Sequence, residues 1–325
     1  MARSLFSRRL SRFAKERPAV QRAVWQAEAL PLLALWRMCA ALTPDRASDL
    51  GAALLARVGP RLRRSRRIEE NLTRALPDLE PAERDRLVEG VWRSMGRVLA
   101  EYPHLEAIAT EPGRIERVVP ERAAAAVADH KQIVIVTGHF GNWEVAPLAA
   151  RGLVDAAVLY SPQSNGAVEA ALQAYRAPLR LRFLAKDGGL RALSRVMRDG
   201  GSVGVLMDQR VDEGETVPLF GQPVPTLTAP LILAARFRVP LLPVRVERLE
   251  GVRFRVTAYD PLVPEAGDPR REGRVLATRI NALFETWIRQ RPDQWLCTTR
   301  RWPKDAIAPA TAAAADVAAV EAPQP

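Results

Sequence analysis

Cysteine is nearly absent from this chain. Only Cys39 and Cys297 occur, so neither a disulfide scaffold nor a cysteine-rich zinc site can be built, and a reducing compartment is expected. Histidine is as sparse, and neither His104 nor His130 has a partner at metal-ligand spacing. Aromatic residues make up 6% and do not interleave with the basic runs, which removes the stacking platforms of a single-strand nucleic-acid binder. Zinc-finger spacing, an RNP-type aromatic strand and a basic leucine zipper are missing too, so no nucleic-acid partner is expected. The apolar run at residues 27–42 is shorter than the ~20 residues a spanning helix needs and contains Glu28, Pro31 and Arg37. It also lacks the small-residue cleavage site of a secretory signal.

What is present is an ordinary globular composition. The 325 residues, 48% apolar and 26% charged, suit two domains of about 150 residues or one large α/β unit. The formal charge is +11, and 44 of the 48 basic residues are arginine, a bias that GC-rich base composition alone produces. Placement therefore carries the argument. Arg3, Arg8, Arg9, Arg12, Lys15, Arg17 and Arg22 face only Glu16 in the first 22 residues, and Arg61, Arg63, Arg64, Arg66 and Arg67 form a second cluster. Basic blocks beside an apolar run suit a phosphate-rich surface such as anionic lipid. Residues 1–42 are accordingly expected to be a membrane-associating segment, with Leu32, Leu33, Leu35 and Trp36 entering the interface. An amphipathic helix packed on the domain fits the same periodicity.

From Pro44 to Leu105 apolar residues recur at helical spacing, notably over 47–58 and 81–101, and a helical layer is expected across 43–130. From Gln132 onward β-rich runs at 132–137, 155–160, 181–184, 202–207, 239–246 and 252–256 alternate with helical patterns at 167–175, 190–197, 229–236 and 272–291. Such alternation specifies an α/β sheet with helices on its faces, expected over 131–305. Residues 306–325, rich in Ala and Pro, cannot build a core and are expected to be disordered.

The chemistry concentrates where the run 132–137 passes into Gly138-His139-Phe140-Gly141-Asn142-Trp143-Glu144. Two glycines permit a tight turn that sets His139 at the carboxyl end of a strand and Glu144 in the first turn of a helix. A carboxylate there is expected to hold one imidazole nitrogen and leave the other basic, at the sheet edge where open α/β folds bind ligands. No Gly-x-Ser-x-Gly and no cysteine stands near the turn, so an acceptor hydroxyl would attack directly, without a covalent enzyme intermediate. Asp208 follows the run 202–207 and is expected at the same edge, with Gln209 and Arg210 beside it. Arg176, Arg180 and Arg182 are candidates for holding phosphates through bidentate bonds.

The segment Thr137-Gly-His-Phe-Gly-Asn-Trp-Glu144 resembles the His-x4-Glu motif of the lipid A biosynthesis acyltransferases, the late lauroyl/myristoyl transferases. Arg67 to Pro77, Glu101-Tyr102, Tyr160-x4-Asn165, Lys186 to Leu190, Met207 to Arg210, Pro218 to Thr226, Pro292 to Trp295 and Arg300 to Trp302 follow in family order. The resemblance implies a glycerolipid-acyltransferase-like α/β fold, a mixed sheet flanked by helices with an N-terminal membrane-associating layer, at the cytoplasmic face of the inner membrane. It implies transfer of a fatty acyl chain from acyl carrier protein to a hydroxyl of a lipid A precursor, with no cofactor or metal. His139 is then the general base and Glu144 its partner, while Gly141, Asn142, Asn165, Arg176, Asp208, Gln209 and Arg210 are expected to bind substrate. Two departures bear on the acceptor: Ser161 stands where the family usually has Arg, and Leu296-Cys-Thr-Thr299 replaces the usual Trp-x-x-His. Another polar lipid, a phosphatidylinositol mannoside or a lysophospholipid, is the alternative acceptor.

Overall fold

The computed structural model describes residues 18–129, 132–185 and 189–303. Lys186, the basic residues before position 18 and the tail at 306–325 lie outside them. Among the described residues nine strands form: β1 (Ile115–Val118), β2 (Val134–Thr137), β3 (Ala156–Tyr160), β4 (Arg182–Ala185), β5 (Ser202–Leu206), β6 (Glu215–Leu219), β7 (Gln222–Thr226), β8 (Leu241–Arg248) and β9 (Phe254–Ala258). Seven make one sheet in the order β1-β9-β8-β2-β5-β3-β4, while β6 and β7 pair as a separate antiparallel hairpin. From β8 to β4 all neighbours are parallel; β9 runs antiparallel to β8, and β1 parallel to β9. The central strands read as nearly unbroken branched apolar runs because helices and chain cover both faces. The sheet is therefore mixed, as expected, but β1 lies inside the stretch assigned above to a helical layer. Its Glu116 and Arg117 alternate poorly with Ile115 and Val118, and both are exposed on this edge strand.

The helical layer holds α1 (Pro18–Ala40), α2 (Pro44–Val58), α3 (Ser65–Ala75), α4 (Pro81–Glu101) and the short α5 (Leu105–Thr110). After it come α6 (Glu121–Asp129), α7 (Val145–Ala149), α8 (Gly166–Arg176), α9 (Gly189–Arg198), α10 (Ala229–Phe237) and α11 (Pro269–Gln290). None is long and apolar enough, among the described residues, to cross a membrane. α1 corrects one expectation. Trp36 is buried with its indole donating to Leu99 O at 2.7 Å, and Leu32, Leu33 and Leu35 pack inward, because they meet apolar surface of the domain itself. The face α1 turns outward carries Ala27, Leu30, Ala34 and Met38 at helical spacing, and Arg22 and Arg37 are exposed as well.

Strand alternation divides the sheet. Val134, Val136 and Val203 are fully buried on one face, whereas Ile135, Thr137, Val158, Gly204, Leu206 and Leu242 line a cavity on the other. One of the helices that line it is α7, whose five residues span only about 7–8 Å against a sheet roughly 29 Å wide, with α6 and α8 contributing Val127 and Leu172. So short a helix leaves the face partly uncovered. A cavity of about 850 Å³ remains beneath it.

Candidate active site

β2 and β5 run side by side with Thr137 opposite Leu206. Each chain continues two residues to a polar group, His139 after one strand and Asp208 after the other, so parallel register alone brings imidazole and carboxylate together. His139 Nδ1 lies 2.7 Å from Asp208 Oδ1, and Asp208 Oδ2 accepts from the Trp295 indole at 3.1 Å. Burial would raise the Asp208 pKa, but the charge and hydrogen bonds of His139, helped by Trp295, outweigh it and hold the group below the usual carboxylate value. The ionised carboxylate fixes the proton on Nδ1 and leaves Nε2 basic. That nitrogen faces Gln209 Nε2 at 3.3 Å, and the Trp143 ring meets the imidazole edge-on at 4.8 Å.

The carboxylate that meets His139 is thus Asp208 rather than Glu144. Gly141 takes φ 55°, and a Cβ there would lie 2.8 Å from Val246 O, so the turn demands glycine. Its N–H donates to Gln294 O, and Asn142 Oδ1 then accepts from the Glu144 N–H at 3.1 Å. The turn delivers Glu144 to the end of α4, where its carboxylate accepts from Tyr102 Oη at 2.8 Å and from Arg176 Nε at 3.0 Å, with a second contact from Nη2. A buried carboxylate needs compensating charge, which a guanidinium supplies and a neutral imidazole does not. Arg176 is packed over the Tyr102 and Phe183 rings, 5.8 and 5.3 Å from their centres. Burial, and then Glu144, push the Tyr102 phenol well above its ordinary pKa, so it donates as a neutral hydroxyl.

Of the residues expected to bind substrate, Arg176, Gln209 and Arg210 line the cavity together with His139 and Glu144. The others serve the scaffold. Asp208 stands behind His139. Asn142 donates to Glu101 Oε2 at 2.9 Å, and Glu101, fully buried, holds Arg248 through two bonds of 2.7 Å. Asn165 caps α8 through the Ala167 and Val168 amides and ties α1 by donating to Trp25 O at 2.9 Å. Arg182 is exposed on β4 and does not line the cavity, whereas Arg180 does.

Tyr102 and Trp295 were not singled out for the site, although both lie in segments that carry the family resemblance. The second belongs to a strap beneath the catalytic turn: Phe140 bridges to Trp295, and the Leu296 N–H donates to His139 O at 2.9 Å. Asn71 holds the next turn of the strap through Cys297 O and Thr299 O. Residues 296–299 therefore support the turn and do not line the cavity, contrary to the substrate-facing position expected for them, whereas Ser161 does line it.

An imidazole backed by an ionised carboxylate, with Nε2 at the end of a largely alkyl-lined cavity, suits acyl transfer. Residues 21–304 match the bacterial lipid A biosynthesis acyltransferases, and the chain belongs to that family. No curated protein matches it. Among solved structures it is similar to the 1-acyl-sn-glycerophosphate (LPA) acyltransferase PlsC from Thermotoga maritima, at 14% identity over 75% of this chain and 97% of that one, with a TM-score of 0.38.

Proposed function

We propose that this acyltransferase moves a fatty acyl chain from the thioester of acyl carrier protein to a hydroxyl of a lipid A precursor of the Kdo-lipid IVA type, at the cytoplasmic face of the inner membrane. The observation that carries the reading is the His139–Asp208 pair at the end of an alkyl-lined cavity. The acceptor hydroxyl gives its proton to His139 Nε2 as its oxygen attacks the thioester carbon, and the carbonyl electrons move onto oxygen. Collapse of this tetrahedral intermediate restores the carbonyl, breaks the C–S bond and releases the carrier thiolate, which takes the proton from the imidazolium. Gln209, whose Nε2 lies 3.3 Å from His139 Nε2, supplies a donor for the developing oxyanion, and the Arg176 and Arg210 guanidiniums that line the cavity, paired with Glu144 and Asp212, keep further N–H groups for acceptor phosphates. Attack is direct: Cys39 and Cys297 are both buried, and burial raises the pKa of both thiols.

The test is to incubate the purified protein with dodecanoyl-acyl carrier protein and Kdo-lipid IVA and weigh the products by mass spectrometry. One added dodecanoyl group is expected, and His139→Ala should slow its formation by about 10²–10⁴-fold. Acylation of a lysophospholipid or phosphatidylinositol mannoside in preference to the phosphorylated glycolipid would replace the acceptor assignment. Near-normal turnover in His139→Ala would remove the base.

A further inference from the structure

The strand β5 reads Ser202-Val-Gly-Val-Leu206, and its third residue departs from what a central parallel strand favours. Its register partners are Ile135 on β2 and Val158 on β3, branched residues of the kind buried parallel sheets normally use. A glycine inside a strand gives up packing and chain entropy, and it commonly marks the close approach of a ligand. Gly204 belongs to the face that lines the cavity, among Ile135, Val158, Leu206 and Leu242. Close backbone packing does not account for it. A Cβ at this position would meet one atom within 4 Å, Val158 Cγ2 at 3.0 Å, the tip of a side chain that itself fronts the cavity.

The position also has a defined depth. Ile135, beside Gly204, lies four residues before His139, two of them in β2 and two in the turn that follows, at most about 13 Å of chain and the reach of about ten extended methylenes. At the strand ends the lining is polar, with His139, Gln209 and Arg210; around Gly204 it is alkyl. Resting on the acyl-transfer reading above, we propose that Gly204 sets the acyl-chain length. Methylenes about ten carbons from the reacting carbonyl cross the sheet over its bare backbone, and any side chain there shortens the chain that fits.

Gly204→Ala and Gly204→Val in the full chain, compared with the unmodified protein, test this in two ways. Thiol release from acyl carrier protein thioesters, octanoyl to hexadecanoyl, counts transfer to any acceptor, water included. Protection against thermal unfolding by free fatty acids of the same lengths reads binding without turnover. Gly204→Val should lose about 10- to 100-fold in kcat/KM for dodecanoyl and longer donors while octanoyl stays within about threefold, with Gly204→Ala between. The longest protecting fatty acid should shorten in step. A uniform loss at every length, or an unchanged length profile in both readouts, would overturn the assignment. His139→Ala separates this from the base assignment. It should stop thiol release yet keep the length dependence of protection; normal release would end the role of His139 and leave the Gly204 comparison intact.

Discussion

Asp208 does two things for His139: it holds the tautomer, and it stabilises the imidazolium that forms as the acceptor loses its proton. Asp208→Asn keeps the shape but presents an amide donor to Nδ1, which moves the ring proton to Nε2 and removes the base. Turnover should fall about 10²–10⁴-fold, and the double variant with His139→Ala should match His139→Ala alone, because the carboxylate then has nothing to orient. Steady-state kinetics on the four proteins would check this; additive losses would separate the two residues. The same carboxylate links stability to pH. Its folded pKa is depressed, so its contribution is present above the ordinary carboxylate range and is lost as pH falls through the folded value. At this scale the sequence showed much. The place of His139 at the carboxyl edge of the sheet was legible from the glycine-framed turn, and that of Asp208 from its position after a strand. The pairing was not, because Glu144 is five residues from His139 in sequence and Asp208 is sixty-nine. Only the register of β2 with β5 makes the distant carboxylate the neighbour.

Among the elements, α1 combines two surfaces. Its inner side is fixed by Trp36 in the core and by Asn165 on the Trp25 carbonyl, so it is part of the domain. Its outer side leaves Leu30 59% and Met38 49% exposed, apolar groups that water does not favour. Peripheral attachment through this side is the expected result, since apolar insertion and arginine attraction to anionic lipid act together. Leu30→Glu with Met38→Glu should reduce co-sedimentation with anionic phospholipid vesicles several-fold without lowering the thermal midpoint; unchanged sedimentation would move the anchor elsewhere. The strong strands and long helices were readable because they are buried and periodic. β1 was not, being a half-exposed edge, and the β6–β7 hairpin hides behind Pro218, Pro223 and Pro225, residues that strands seldom hold. α7 was readable too, as the helical run that follows Glu144.

Across the molecule, Glu101 joins the helical layer to the sheet. It accepts from Ser48 on α2, Asn142 in the catalytic turn and Arg248 at the end of β8, and it has no exposed surface. Arg248→Met would leave this carboxylate buried without its cation and should destabilise the fold by about 3–5 kcal/mol in denaturant titration. A loss under 1 kcal/mol would show that water or a rearranged neighbour takes over.

The strap at residues 294–296 also imposes an order in time. Ribosomes build chains from the amino end, so the cavity walls, His139 and Asp208 exist before Trp295 and Leu296 do. Until the strap emerges, the aspartate lacks its indole donor and the histidine turn lacks the amide that props its carbonyl. A chain cut before residue 294 keeps every residue that lines the cavity yet lacks both supports of the base.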